Sequence, residues 1–142
     1  MRATRSNAVL GLGILIVAAL ACKFSGTTAN ISSVKLGKDK TASTETSNFG
    51  PSDTVYAIGE ISNAAEKLKV KGRLAIEDVP GQKTGPVPGL EDQVELPGSG
   101  TATFTFTPPA SGWPKGKYKI DILMINEAGE QKDQKSAAFT VS

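Results

Sequence analysis

From residue 31 onward, apolar positions recur at every second residue in short runs separated by Gly-, Pro-, Asn- and Ser-rich punctuation. That period puts apolar side chains on one face of a pleated strand and polar ones on the other. Its repetition between turn signals predicts an all-β sandwich or barrel. The clearest run is Leu68 to Glu77, where Leu68, Val70, Gly72, Leu74 and Ile76 alternate with Lys69, Lys71, Arg73 and Ala75. In Thr101 to Thr107, Ala102, Phe104 and Phe106 share one face and threonines fill the other, which suits a half-wet pleated surface. In Lys117 to Ile125, the pattern turns Tyr118, Ile120, Ile122 and Met124 inward and Lys117, Lys119 and Asp121 outward. Leu123 and Ile125 interrupt that polar side, which implies cover from a loop or another chain. Ala137, Phe139 and Val141 predict a terminal strand after the turn cluster Asn126 to Gly129.

Two earlier runs are shorter in signal. Thr54 to Ile61 is apolar on both sides; Glu60 directs Val55, Ala57, Gly59 and Ile61 to the core and leaves Tyr56 and Ile58 outside. Ile31 to Leu36 reads as an edge strand. Between Asp78 and Gly100, Pro80, Pro86, Pro88 and Pro97 exclude a central strand, because proline has no N–H to give a ladder. Only Gln93 to Leu96 is expected to pair there, at an edge, within a long loop of the kind that is often functional or disordered.

The N-terminus follows a different pattern. Arg2 and Arg5 precede an apolar run from Ala8 to Ala21, which ends in small residues, the three-part layout of an export signal. As a helix that run reaches about 21 Å at 1.5 Å per residue, short of a hydrocarbon core of about 30 Å, so cleavage is expected rather than a permanent span. The predicted organisation is a signal-peptide helix over 1–21, Cys22 and a flexible tether over 22–30, and one β-sandwich domain over 31–142.

Composition narrows the chemistry. The chain has 142 residues, no histidine and one cysteine. It therefore lacks the side chain most used for proton transfer near neutral pH, and one cysteine excludes an internal disulfide or a multi-cysteine zinc site. Without Arg2 and Arg5 the basic side chains fall from 16 to 14, equal to the 14 acidic ones. An exported domain with no net side-chain charge carries no electrostatic footprint for nucleic acid.

Ala19-Leu20-Ala21-Cys22 resembles the end of a bacterial lipoprotein signal. The resemblance implies that Cys22 becomes the first mature residue and carries acyl chains; ordinary signal-peptidase cleavage after Ala-Leu-Ala leaves the same mature start. Several chains on one residue give lasting attachment where a single chain holds only marginally. The chain would then sit on a bacterial membrane, on the periplasmic or cell-surface side.

"SGWPKGKYKIDI", over 111–122, resembles the E–F corner of immunoglobulin-like and fibronectin-type-III-like sandwiches. In those folds Gly-x-Tyr opens strand F and the tyrosine hydroxyl reaches back to an upstream carbonyl. Gly116 and Tyr118 match, and Ile120 stands where antibody domains place a cysteine. Together with Phe49, Pro51 and Asp53, the stretch also resembles cysteine-free domains of bacterial lipoproteins. The resemblance implies an antiparallel Ig-like sandwich of about seven strands and a non-catalytic binding or scaffolding role at the cell envelope, with an envelope protein as partner. Glycan or cell-wall polymer binding is the alternative it leaves open.

Few side chains support any other chemistry. Ser32-x-x-Lys35 and Lys83-Thr84-Gly85 match motifs of penicillin-interacting enzymes letter by letter, but lie in an edge strand and a Pro-rich loop instead of the helix start and central strand those motifs require. Glu91, Asp92 and Glu95, like Glu77 with Asp78, lack the spacing of a calcium loop and read as solvated acids. No catalytic residue, metal ligand or cofactor is therefore assigned. Lys69, Lys71, Arg73, Lys117 and Lys119 fall on the solvent side of two strands that pair in this fold, a candidate contact for anionic surfaces. Trp113 and Tyr56 are the bulky aromatics available for stacking, although an indole before the corner more often plugs the end of a sandwich.

Overall fold

The computed structural model describes residues 29–142. The expected signal helix and Cys22 lie outside the described residues. Eight strands form: β1 (Asn30–Gly37), β2 (Asn48–Phe49), β3 (Val55–Ser62), β4 (Leu68–Asp78), β5 (Gly85–Leu96), β6 (Gly100–Phe106), β7 (Gly116–Asn126) and β8 (Gln131–Val141). They make a three-stranded sheet in the order β1-β3-β6 and a five-stranded sheet in the order β2-β8-β7-β4-β5. This is an Ig-like sandwich, all-β among the described residues.

The alternation read from the sequence decides which faces meet. Val70, Leu74, Ile120 and Ile122 of the larger sheet are fully buried against Ile31, Val55, Ala57 and Ala102 of the smaller one. Three contacts set how the sheets stack. A Cβ at Gly72 of β4 would lie 2.6 Å from Cγ of Phe104, so β6 lies directly beneath β4. A Cβ at Gly59 of β3 would lie 3.3 Å from Ile122, which puts β3 beneath β7. The Ile31 amide donates to Asp133 Oδ2 at 2.8 Å, which ties β1 to β8. β5 is one strand further out than β4, and it meets β6 only at its Leu96 end, where Leu96 is buried and the Leu96 methyls lie 3.9–4.0 Å from where a Cβ on Gly100 would stand.

Two elements differ from the sequence reading. β2 is two residues long and pairs in parallel with the end of β8, too short for any period to reveal. β5 begins at Gly85, where pairing was expected only from Gln93. Its prolines are accommodated because β5 pairs with β4 alone, and because the register breaks. Between Arg73 and Ala75, β4 uses Leu74 where β5 uses the four residues Val87 to Leu90, an irregular bulge that takes Pro88 out of the ladder. Gly89 has φ +84° there, a conformation other residues adopt at a cost.

The interrupted polar faces are also explained. Leu123 lies outside the core but is 6% exposed, flanked in register by Lys71 and Gln134. Its cross-strand neighbours on that face are the long side chains of Lys71 and Gln134. Ile58 is outside as expected yet equally buried, on the central strand between Lys35 and Thr103.

Gly72→Ala is expected to lower stability by about 1–3 kcal/mol, because the added methyl meets a packed ring. Urea unfolding measures this, and Phe104→Leu in the same chain should recover part of the loss.

Candidate functional site

The lower end of the sandwich is built by the two motifs that the sequence singled out. Tyr118 is buried at the start of β7, and its hydroxyl donates to the Pro114 carbonyl, closing the corner. Gly116, at φ +151°, precedes it; a Cβ there would lie 2.6 Å from the Asp78 carbonyl oxygen. Trp113 is 4% exposed; its indole N–H donates to the Asp53 carbonyl at 2.7 Å and its amide to the Pro51 carbonyl at 2.8 Å. The Gly50 amide in turn donates to Asp53 Oδ2 at 2.7 Å, and Lys38 Nζ lies 3.1 Å from the same oxygen. Phe49-x-Pro51-x-Asp53 and the corner are thus two halves of one latch. Phe139 stacks on Tyr118 with ring centroids 5.2 Å apart and meets Phe49 edge-on at 5.3 Å. Such aromatic pairs contribute about 0.5–1.5 kcal/mol beyond their buried area.

Trp113 faces inward, so the exposed candidate platform reduces to Tyr56, half-buried on the outer face of the smaller sheet. Lys69, Lys71, Arg73, Lys117 and Lys119 stand on the paired strands β4 and β7, on the outer face of the larger sheet. Acids are interleaved among them. Lys71 Nζ lies 3.1 Å from Glu91, Arg73 Nε 3.2 Å from Asp121 Oδ2 and Lys119 Nζ 3.8 Å from Asp121 Oδ1. Lys69 faces Glu95 across β5, and Lys117 faces Asp78 across β4. Asp121 is 2% exposed and also accepts from the Ser136 hydroxyl. Three of the five cations thus have an ion pair, and Lys69 and Lys117 have an acid only as cross-strand neighbour. The sequence signal for Asp121 was its outward position alone; its burial comes from the side chains that close over it.

The open part of the molecule is the flank beneath β5. Cross-strand partners point to the same face, so Val94, paired with the buried Val70, and Asp92, paired with Gly72, are both on the core side of the sheet. Val94 is half-buried and Asp92 is exposed. An exposed residue on the core side marks where the smaller sheet ends. Below it, Val87 and Leu90 of the bulge, with Leu74, Ile76, Pro109 and Trp113, line an apolar cavity of about 330 Å³. The hydroxyl of Tyr118 and the indole N–H of Trp113, both beside this cavity, already have partners. The space therefore offers apolar surface and little unsatisfied polarity. Sequence reading grouped Asp92 with Glu91 and Glu95 as solvated acids; only the register separates it from them.

No family model and no curated protein matches the chain. Solved structures are similar in fold. A Niemann-Pick type C2 protein from the Japanese carpenter ant is 14% identical, with 82% of this chain and 94% of that one covered and a TM-score of 0.51. A cycloisomaltooligosaccharide glucanotransferase from Paenibacillus sp. is 21% identical at a TM-score of 0.51, but the match takes in 81% of this chain and only 14% of the enzyme. An immunoglobulin-like protein from Pseudomonas aeruginosa is 12% identical, with 82% and 98% covered and a TM-score of 0.47. At these identities the likeness concerns architecture, and one architecture hosts many functions.

Two substitutions test the latch. Tyr118→Phe should cost about 0.5–1.5 kcal/mol in urea unfolding through the lost hydrogen bond, with the ring packing kept. The Gly50 amide, and then Lys38, hold the Asp53 carboxyl below its ordinary value of 3.8. A depressed folded value contributes stability that is present above pH 3.8 and is lost as pH falls through that folded value. Asp53→Asn should therefore flatten the acid limb of the stability profile, measured as melting temperature between pH 5 and pH 2.

Proposed function

We propose that this is an exported, lipid-anchored protein of the bacterial envelope whose Ig-like domain binds a protein partner without catalysis. The observation that supports this reading most is the incompletely covered flank beside β6 and beneath β5, on a domain whose buried polar side-chain atoms all have partners among the described residues. A flank of this kind meets another chain; it does not assemble a nucleophile with a base.

The anchoring half of the reading draws on Cys22 and on where the chain joins the sandwich. β1 starts at Asn30, which pairs with Ser62 at the end of the molecule that also carries the β7–β8 turn. The latch of Trp113 and Tyr118 is at the opposite end. Residues 23–29 extend at most about 25 Å at 3.3–3.6 Å per residue. A domain held at Cys22 by such a segment would stand with the β7–β8 turn toward the membrane and the flank rising from it, within reach of other envelope proteins.

Replacing Cys22 by Ser tests the anchor. The wild-type protein is expected in the membrane fraction and to incorporate an alkyne-labelled fatty acid, and the variant is expected to do neither. A variant that stays in the membrane fraction without label would overturn the lipid anchor. For the partner, cross-linking in intact cells followed by mass spectrometry should recover one envelope protein with the wild type; recovery of none would overturn the binding role.

A further inference from the structure

We infer that the flank is a strand-addition site: an extended peptide segment with a basic residue between two apolar ones pairs with the outer edge of β6 and lies beneath β5. The inference rests on the reading of the domain as a protein-binding module and names the site and the chemistry of the partner.

The first observation is the imbalance of the sheets. The larger has five strands and the smaller three, and β6 is at the edge of the smaller one. Because Phe104 fixes β6 under Gly72 of β4, the next position in the smaller sheet falls under β5. A strand there would continue one sheet and be roofed by the other. Edge strands present a row of unpaired N–H and C=O groups, and proteins usually blunt them with charge, proline or bulges. β1 has a bulge and Lys35; β5 has Pro86, Pro88 and a bulge; β8, which is an edge except at the two residues that pair with β2, has Lys132, Asp133 and Lys135. β6, GTATFTF, has none of these devices, and its pairing with β3 is in continuous register from Gly100 to Phe106.

The second observation is the roof. Val94, Asp92 and Leu90 follow one another at two-residue spacing along β5. Val94 and Asp92 are on the core side by register, and Val87 and Leu90 pack against the core only in part. An added strand would place side chains i, i+2 and i+4 at the same spacing. Its outer two would meet Val94 and Leu90, and its middle one Asp92. A carboxylate between apolar neighbours, on the core side of a sheet, is complementary to lysine or arginine. It also repels acidic strands, which gives the site selectivity as well as attraction.

A second copy of the chain fits less well. Two β6 strands placed edge to edge would bring the β4 of one molecule over its own β6, into the space that β5 of the other already fills. A single extended segment has no such roof of its own.

The test uses the purified protein in detergent micelles and synthetic seven-residue peptides capped at both ends. Thr-Val-Thr-Lys-Thr-Val-Thr is the probe. One control replaces its Lys by Glu, and another carries N-methyl groups on alternate amides. Amide spectra at peptide concentrations up to a few millimolar should show saturable shifts concentrated in residues 87–96 and 100–106. The Lys peptide should bind about fivefold more tightly than the Glu peptide, the order expected of one exposed to half-exposed charge pair. Asp92→Lys, a change at an exposed position, should reverse that preference, and N-methylation on the edge-facing amides should abolish binding. Absence of shifts at those residues, equal binding of the N-methylated peptide, or an unchanged preference in Asp92→Lys would each overturn the inference. So would concentration-dependent shifts of the same amides without peptide, which would make the occupant a second copy. The anchor and cross-linking experiments above read a different property, so either result stands when the other fails.

Discussion

The stacking of the Phe104 ring on the bare Cα of Gly72 governs the geometry of this domain. A glycine in the middle of a strand weakens it locally, but here it lets an aromatic ring of the facing sheet come within the space a Cβ would occupy. That contact sets the lateral offset between the sheets. With β6 held under β4, three strands lie beneath five, and β5 is left as an overhang whose core-side residues are incompletely covered. The offset thus creates both the rigidity of the centre and the open flank.

The two ends of the molecule are finished differently. At the lower end, Trp113, Tyr118, Phe139 and Phe49 form one aromatic cluster, and the hydrogen bonds of Trp113 to Pro51 and Asp53 lock it to the loop before β3. This latch takes the place of the inter-sheet disulfide that a chain with one cysteine cannot make. A fully satisfied indole and phenol convert two polar groups that would be costly to bury into fixed points of the corner. On the outer face of the larger sheet, Asp121 does the same for Arg73 and Lys119. Those cations are spent on structure, which reduces the charge available to an anionic surface.

The binding role proposed for this scaffold belongs to what the packing leaves unfinished. The sandwich is closed at the latch and along β1 and β8, and unfinished along β6. An edge that lacks charge, proline and bulge is normally an aggregation hazard. Beneath the roof of β5 it is sheltered from flat edge-to-edge contact with a second sandwich, while remaining within reach of a single strand.

Alternation along the chain was sufficient to locate and orient β3, β4, β6, β7 and the last residues of β8, which starts at Gln131, because a period of two leaves a register little choice once one face must be buried. Gly116 and Tyr118 revealed the corner for a similarly local reason: its geometry is made within a few residues. What the alternation could not carry was anything decided by a neighbour in space. β5 was legible only over its last residues, since its pairing depends on β4 accepting a bulge at Leu74. Asp121 became a buried ion, and Asp92 a core-side carboxylate, only when β4, β7 and β5 came into register. Lateral offset between two sheets is not encoded by any one strand; it follows from which side chains interlock across the interior. Alternation and local motifs therefore suffice for most of the strands and their faces, while the interlock of side chains across the interior decides which edge stays open.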